Sequence, residues 1–253
     1  MWDMLIINPM LNTLLWIYSI LGNFGLAIIL FTILVRMVTY PLTIQQLKGA
    51  SKMQDMQKSK EYLAMQKKYK DDKQKLQQEQ MKLYKEMGVN PLGSCLPTLI
   101  QFPVIIGLYQ SIIRALAVTP MQMTALFYNI YPFSDVAKLL PIDSQFLWMD
   151  LSQPERLYVF GYGIPVLAII VLITTYFQSR LITPPSQPGE QGAQMTQMMN
   201  LYMPLLMGYL ALTFAAGLAL YFVTSNVITI LQYAFMGKAN WKNLNPFKKA
   251  GSE

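Results

Sequence analysis

The chain has 253 residues, of which 53% are hydrophobic and only 13% are charged. Soluble domains usually carry about 25% charged residues, so roughly half of the usual complement is missing. There is no histidine and only one cysteine, Cys95, which excludes histidine-based catalysis, histidine zinc or haem sites and an internal disulfide. No glycine-rich phosphate loop of the Walker type occurs. We therefore expect a membrane protein that is not an enzyme and that binds no metal or other cofactor.

The charged residues are concentrated in one part of the chain. Gln191 to Gly237 form a run of 47 positions without Asp, Glu, Lys or Arg, whereas Lys48 to Glu86 hold 17 charges in 39 positions. Long uncharged apolar runs are typical of transmembrane helices. This pattern predicts an all-α polytopic membrane protein with one polar segment outside the bilayer.

An apolar helix of about 20 residues crosses a hydrocarbon core of about 30 Å. By this measure we predict five transmembrane helices, an N-terminal interfacial helix and a cytoplasmic helical hairpin. The 47-residue uncharged run is too long for one span, so a tight turn is expected near Ala215. The predicted segments are the N-terminal segment 1–23, the first span 24–46, the hairpin 47–90, the second span 91–117, an extracytoplasmic loop 118–156, the third span 157–179, a cytoplasmic loop 180–196, the fourth span 197–214, the fifth span 217–236 and a basic cytoplasmic tail 237–253.

The distribution of Lys and Arg orients these spans, because cytoplasmic loops are enriched in both residues. Residues 47–88 contain 11 lysines, and four more lysines follow Gly237. The 118–156 segment has two basic residues against four acidic ones. We therefore place the hairpin and the C-terminus in the cytoplasm and the N-terminus outside.

The N-terminal segment has its own helix signal. Asn8 followed by Pro9 resembles a helix cap with proline at the first position, and it opens the apolar run Met10 to Leu21. This run is too short to span a bilayer and carries Trp16, so we predict a helix lying along the outer membrane surface. The alternative is that it extends the first span.

The lysine-rich segment is predicted to fold back on itself as an antiparallel helical hairpin. Asp71 and Asp72 divide it and are suited to cap a second helix. The apolar positions that would face each other are Leu76, Leu83, Tyr84 and Met87 on one side and Met53, Met56, Leu63 and Met65 on the other. Its lysines form either a solvated face or a contact surface for anionic headgroups or ribosomal RNA.

Arg36 is the informative residue inside the predicted spans. An arginine at the centre of a span costs about 2.5 to 3.5 kcal/mol on insertion scales, so it is expected to face a polar or watery interior. The predicted spans contain no Asp or Glu. Thr32, Gln101, Ser225 and Asn226 could line such a pocket, although each singly is typical of interhelical hydrogen bonding. The alternative is a snorkelling arginine near the cytoplasmic end of a shorter span.

A series of short motifs runs through the predicted spans. These are Gly22-Asn23-Phe24-Gly25, Thr32, Arg36, Tyr40-Pro41-Leu42, Asn90-Pro91-Leu92-Gly93-Ser94-Cys95-Leu96-Pro97, Gln101, Pro103, Gly217-Leu218-Ala219-Leu220-Tyr221-Phe222, Ser225-Asn226 and Gln232. In this order they resemble the YidC family of membrane protein insertases. The resemblance covers the five-span core and is to the shorter, Gram-positive type.

The resemblance implies a multi-pass insertase of the bacterial inner (plasma) membrane. Such a protein holds a nascent membrane segment in a hydrophilic groove and releases it sideways into the bilayer without nucleotide hydrolysis. Arg36 matches the groove arginine of the family. Other matched groove or substrate-contact positions are Thr32, Gln101, Phe102, Pro103, Tyr221 and Phe222, with Ser225 and Asn226 beside them. The implied partners are nascent membrane proteins, lipid, the ribosome, a Sec-type translocon and the signal recognition machinery.

A small polytopic transporter or channel is the alternative function. Ion-coupled carriers usually place ionisable groups near the middle of the membrane. The predicted spans contain no Asp, Glu or Lys, and five unequal spans do not divide into an inverted repeat. The sequence therefore favours the insertase.

Overall fold

The computed structural model describes residues 2–57, 59–69, 72–86, 88, 96–116, 119–131, 140–159, 161–182 and 191–237. Most of the described chain is helical. The elements are a π-helical segment Asp3–Ile7, α1 Asn8–Leu21, α2 Phe24–Val38, α3 Tyr40–Gln57, α4 Lys60–Lys68, α5 Lys73–Glu86, α6 Leu96–Ala115, α7 Pro120–Asn129, β1 Gln145–Phe146, β2 Met149–Asp150, β3 Leu157–Val159, β4 Tyr162–Ile164, α8 Val166–Ile182, α9 Gln191–Thr213 and α10 Ala216–Phe235.

The chain divides into two compact units. We call Met1–Arg36 with Ile105–Glu253 the bundle unit, and Met37–Val104 the hairpin unit. The expectation of an all-α fold needs one correction, because the bundle unit also contains two small antiparallel strand pairs, β1 with β2 and β3 with β4.

The N-terminal helix is longer than its sequence signals indicated. Asn8 is not a cap, because its backbone is already helical and the π-helical segment beginning at Asp3 runs directly into α1. Packing of Ile7 extends the helix at this end, since Ile7 is fully buried and its carbonyl accepts a hydrogen bond from Ser111 at 3.3 Å. The helix then ends at Gly22, whose φ of 65° is a left-handed conformation that suits glycine.

Among the described residues, two helices are long and apolar enough to cross a membrane, Asp3–Leu21 and Ala216–Phe235. Shorter apolar helices cover Phe24–Val38, Phe102–Ala115 and Val166–Ile182. The 19 residues of the first helix measure about 28 Å. The prediction that the N-terminal segment is too short to span is therefore wrong as far as length is concerned.

The start of the predicted third span also differs from the structure. β3 Leu157–Val159 pairs with β4 Tyr162–Ile164, and α8 begins only at Val166. Gly161, with φ of 84°, lies in the turn and explains why the hairpin can close there. The uncharged run 191–237 forms α9 and α10, and the chain turns between them at Phe214 and Ala215. This is the place where the sequence indicated a tight turn.

The bundle unit has an apolar interior and an apolar exterior. Fully buried side chains include Leu11, Ile28, Leu108 and Ile112. Large apolar side chains also cover the outside of the helices, and those of α2 and α9 include Leu26, Leu30, Ile33, Leu34, Leu201, Tyr202, Leu205, Leu206 and Tyr209. Exposed apolar surface of this extent is typical of contact with lipid.

The hairpin unit has a small core of its own. Met56 and Tyr62 are buried there, with Met65, Leu83 and Tyr84 packed against them. The first arm is broken into two helices, because the Ser59 hydroxyl accepts a hydrogen bond from the Tyr62 amide and starts α4. The second arm begins at Asp72, whose carboxylate accepts the Lys75 amide at 3.1 Å. The predicted core positions Met53 and Met87 lie outside the described side chains.

One end of the bundle unit is covered by residues 143–155, which we call the capping loop. The carbonyls of Gln153 and Leu151 accept the amides of Ala216 and Gly217, at 2.7 and 3.1 Å. The first turn of a helix leaves amides without intrahelical partners, and in hydrocarbon such groups are costly. The capping loop therefore closes the N-terminal end of α10.

Glu155 makes the same kind of contact with α8. Its buried carboxylate accepts the Leu167 amide at 2.9 Å and the indole N–H of Trp148 at 2.9 Å. A carboxylate at a helix N-terminus is also favoured by the helix dipole. The capping loop thus satisfies the exposed amides of two helices at one end of the bundle.

Phe146 of the capping loop packs directly against Gly25 at the start of α2. A Cβ added at Gly25 would overlap the Phe146 ring, far inside van der Waals contact. We expect Gly25→Ala to lower the free energy of unfolding by about 1 to 3 kcal/mol, because overpacking displaces neighbouring side chains. Thermal unfolding in detergent micelles measures this effect.

The matched control for this change is Gly49→Ala in α3, where a Cβ would meet nothing within 4 Å. There we expect no loss, because alanine is the better helix former. In a Phe146→Ala background the cost of Gly25→Ala should disappear. A cost that is unchanged in that background would contradict the proposed contact.

Candidate functional site

Arg36 and Ser225 form the centre of the candidate site. Arg36 lies in the last turn of α2, and its Nε donates to the Ser225 hydroxyl of α10 at 3.0 Å. A second guanidinium nitrogen, Nη2, donates to the same oxygen. Ser225 is buried, whereas Arg36 is partly exposed. The serine therefore orients the guanidinium, and because a hydroxyl is neutral it leaves the positive charge in place.

The position of this contact along α10 gives its depth. Ser225 is the tenth residue of a helix that runs from Ala216 for 20 residues. At 1.5 Å per residue, α10 is about 30 Å long and Ser225 lies close to its middle. The contact with Arg36 therefore lies near the middle of a helix that is long enough to cross a bilayer.

Thr32 and Thr229 are fixed within their own helices. Thr32 is fully buried one turn before Arg36 and donates to the Ile28 carbonyl at 2.6 Å. Thr229 is also buried and donates to the Ser225 carbonyl at 2.7 Å. These bonds satisfy both hydroxyl donors within the residues' own helices.

Tyr221 and Phe222 lie one turn before Ser225 on α10, and both side chains are buried. Their ring centroids are 5.8 Å apart. Both rings are thus buried within the bundle unit, one turn from the residue that contacts Arg36.

Asn226 faces a different neighbour from Ser225. Its side-chain amide donates to the hydroxyls of Thr174 and Thr175 on α8, at 3.1 and 2.8 Å. Successive residues of a helix point about 100° apart, which explains why two adjacent polar residues serve two contacts. The structure thus brings Ser225 to Arg36 and assigns Asn226 to the α8–α10 interface.

The remaining predicted site residues are in the hairpin unit. Gln101, Phe102 and Pro103 occupy the first half of α6. Phe102 is half exposed, and Pro103 is inside the helix. The side chain of Gln101 lies outside the described part of the structure, as do the tail lysines Lys238, Lys242, Lys248 and Lys249.

A surface depression of about 290 Å³ lies between α4 and α5. Its charged lining includes Glu61, Glu79, Lys68 and Lys82, so the two signs nearly balance. The side-chain hydrogen bond to Glu79 raises the pKa of the Lys82 amine. Because Glu79 pairs with Lys82 at 2.6 Å and acidic side chains outnumber the lysines in the lining, the depression does not favour an anion.

Sequence reasoning missed the capping loop and the two threonines of α8. Thr174 and Thr175 follow the apolar stretch Val166–Ile173 of α8, and this polar pair is a signal visible in the sequence. From the sequence, Glu155 is only one of the charges of the extracytoplasmic loop, because the residues next to it in the sequence do not indicate that its carboxylate is buried against α8.

The family model described as 60Kd inner membrane protein matches residues 16–243. The chain is 33% identical over 256 residues to the membrane protein insertase MisCA of Bacillus subtilis, covering 100% of this chain and 85% of that protein. The chain belongs to the YidC family of membrane protein insertases. It is also 35% identical over 239 residues to the membrane protein insertase YidC of Chlorobaculum tepidum, covering 91% of this chain and 35% of that protein.

A solved structure supports the same family. It is titled an active YidC insertase with the first transmembrane domain resolved, and it matches with a TM-score of 0.56 and 28% identity. The match covers 87% of this chain and 43% of that chain. The chain therefore spans most of MisCA but less than half of these longer YidC relatives. The mostly helical membrane fold of this chain is consistent with YidC family membership.

The Asn226 contact gives a stability test of the α8–α10 interface. We expect Asn226→Ala to lower the free energy of unfolding by about 0.6 to 1.7 kcal/mol, the range measured for hydrogen bonds between membrane helices. Unfolding in mixed micelles, monitored by loss of helicity, measures the change. The effect should shrink when Thr174 and Thr175 are both replaced by Val, because the amide then has no partners there.

The matched control is Val227→Ala on the lipid-exposed side of α10, where 42% of the side chain is exposed. This change should cost much less than Asn226→Ala. Equal costs for Asn226→Ala in the native and Thr174→Val/Thr175→Val backgrounds would contradict the contact.

Proposed function

We propose that this protein inserts membrane proteins by receiving the polar tail of a client at Arg36 and releasing its apolar helix sideways into the bilayer. The proposal combines the established family with the Arg36–Ser225 contact. That contact, near the middle of α10, is the observation that carries it. The hydrophilic groove, the lateral release and the independence from nucleotide hydrolysis are parts of this proposal.

The depth of Arg36 determines what it can contribute. A polar tail that reaches a positive charge halfway through the membrane has only about half of the hydrocarbon thickness left to cross. An acidic residue about 4 Å from the guanidinium would gain on the order of 4 kcal/mol at an effective dielectric of 20, before desolvation is subtracted. This gain offsets part of the cost of bringing the tail out of water.

The two ends of the bundle unit support a direction of entry. The capping loop closes the end at which α10 begins, through the bonds to Ala216 and Gly217. Arg36 instead lies in the last turn of α2. It is some 11 residues beyond Gly25, which contacts Phe146, and this corresponds to about 16 Å along the helix. We infer that clients enter from the Arg36 end. In the orientation predicted from the lysines, that end faces the cytoplasm and the capping loop faces outside.

Lateral release is supported by the apolar surface beside Arg36. Ile33 and Leu34 of α2 are exposed, and Leu30 continues the same surface. A client helix lying along this surface would exchange protein contacts for lipid contacts without crossing a polar barrier. Burial of apolar area in lipid contributes about 25 cal/mol per Å², so insertion of a full span is favourable without nucleotide hydrolysis.

The membrane potential adds to this driving force for acidic tails. Each negative charge moved outward across the membrane gains about 2.3 kcal/mol per 100 mV when the cytoplasm is negative. Acidic tails are therefore helped first by Arg36 and then by the field.

The hairpin unit is proposed to recruit partners through charge. Lys67 and Lys68 stand exposed in the last turn of α4. Such lysines are suited to contact ribosomal RNA or anionic headgroups. A Sec-type translocon and the signal recognition machinery are further proposed partners, on the strength of the family alone.

The Arg36 proposal is tested by changing both the protein and its client. We expect Arg36→Lys to retain much of the insertion activity, and Arg36→Gln and Arg36→Glu to lose it increasingly. The loss should grow as the translocated tail of a one-span client carries zero, one or two acidic residues. Insertion into proteoliposomes, scored by protease protection of the tail, measures this series.

Arg180→Gln is the matched control, because Arg180 is an exposed arginine at the end of α8. It should leave insertion unchanged for every client. Equal losses for all clients with Arg36→Gln, whatever the tail charge, would show that Arg36 does not attract the tail electrostatically.

Recruitment by the hairpin unit has a separate test. We expect Lys67→Gln with Lys68→Gln to weaken ribosome binding and to reduce its salt dependence, because each phosphate contact releases counterions. Co-sedimentation of ribosomes with the protein in nanodiscs measures both quantities.

The matched control replaces Glu79 and Lys82, which pair at 2.6 Å, with glutamine and leaves the net charge unchanged. Binding should then stay as it is. If both double variants bind alike, the α4 lysines are not the contact.

A further inference from the structure

The β3–β4 hairpin is attached directly to the start of α8. Only Pro165 separates Ile164, the last residue of β4, from Val166, the first residue of α8. Trp148 and Glu155 hold the neighbouring capping loop against the same first turn, through the Leu167 amide. The hairpin therefore lies at the level where α8 enters the membrane.

The register of the hairpin gives it two different faces. Leu157 pairs with Ile164, and Tyr162 stands two residues before Ile164, so these three side chains share one face. Tyr158 pairs with Gly163 on the opposite face. Arg156 also covers that face, because a Cβ at Gly163 would lie 3.4 Å from both the Arg156 Cδ and the Tyr158 ring. One face is thus apolar, and the other carries a charged residue.

Among the described residues this apolar face is only partly covered. Tyr162 is 78% exposed and Ile164 is 38% exposed, whereas Leu157 is half-buried. A two-stranded hairpin alone in water is at best marginally stable. The exposed apolar face of the hairpin therefore has to pack against another surface.

The length of α8 identifies that surface. Val166 to Ser179 is the uncharged part of α8, and its 14 residues measure about 21 Å. The hydrocarbon core of a bilayer is about 30 Å thick. An arginine near the end of a span is expected to reach the headgroups. With Arg180 at that level, the hydrocarbon extends past the start of α8 to the level of the hairpin.

We propose that the β3–β4 hairpin lies in the interfacial layer of the lipid leaflet at the N-terminal end of α8. Its Leu157, Tyr162 and Ile164 face points toward the acyl chains, and Arg156 points toward water and headgroup phosphates. Tyrosine is enriched at this depth because its ring is apolar and its hydroxyl is polar. The hairpin thus extends the apolar surface of the protein over the part of the hydrocarbon thickness that α8 is too short to cross.

Spin labels on the two faces of the hairpin test this proposal. The full chain with Cys95→Ser is labelled with a nitroxide at Tyr162→Cys, Ile164→Cys or Tyr158→Cys and placed in phosphatidylglycerol–phosphatidylethanolamine nanodiscs. Collision rates are measured with oxygen, which concentrates in lipid, and with a neutral nickel complex, which stays in water. We expect oxygen to dominate at positions 162 and 164 and nickel to dominate at position 158.

Three results would overturn the proposal. They are equal nickel access at positions 158 and 162, oxygen dominance on both faces, and shielding of positions 162 and 164 from both reagents, which would indicate a protein cover. Position 164 gives an independent reading of the apolar face if the Tyr162→Cys variant does not elute as the native protein does.

Discussion

A positive charge held halfway along a membrane-length helix is the constraint on which the rest of the structure depends. Arg36 is costly at that depth, by about 2.5 to 3.5 kcal/mol on insertion scales. Its guanidinium is oriented by a serine hydroxyl, which does not cancel its charge. Buried Thr32 satisfies its own donor within α2, so the neighbouring polar group adds no unsatisfied donor. The bundle unit thus holds the Arg36 guanidinium by a hydrogen bond that joins α2 and α10.

The need of helix amides for hydrogen-bond acceptors explains why one end of the bundle unit is closed. Exposed helix amides in a low-dielectric environment must find acceptors. The capping loop supplies them with the carbonyls of Leu151 and Gln153 for α10 and the carboxylate of Glu155 for α8. Phe146 against Gly25 adds a close steric contact with α2. The capping loop thus closes the end of the bundle unit at which α2, α8 and α10 begin.

The sequence predicted the helices more reliably than their ends. Uncharged runs revealed α9 and α10 and the turn between them, because charge is excluded from hydrocarbon whatever the packing. The start of α8 was misplaced, since Leu157 to Ile164 is as apolar as a span and only the pairing of Tyr158 with Gly163 identifies a hairpin. Arg36 and Ser225 were both identified, yet their contact joins residues 189 positions apart. Nothing local in the sequence distinguishes Ser225, which meets Arg36, from Asn226, which meets α8.

The proposed direction of entry is tested most directly by photocrosslinking from two positions on one face of α2. Ile33 and Leu26 are seven residues apart, point the same way and are both exposed. Ile33 lies one turn from Arg36, and Leu26 lies next to the Gly25–Phe146 contact. A photoreactive residue at each position is irradiated with ribosome-bound clients of increasing length. We expect short nascent chains to crosslink at position 33 and only longer ones to reach position 26. Crosslinks at position 26 from the shortest chains, with none at position 33, would contradict entry from the Arg36 end.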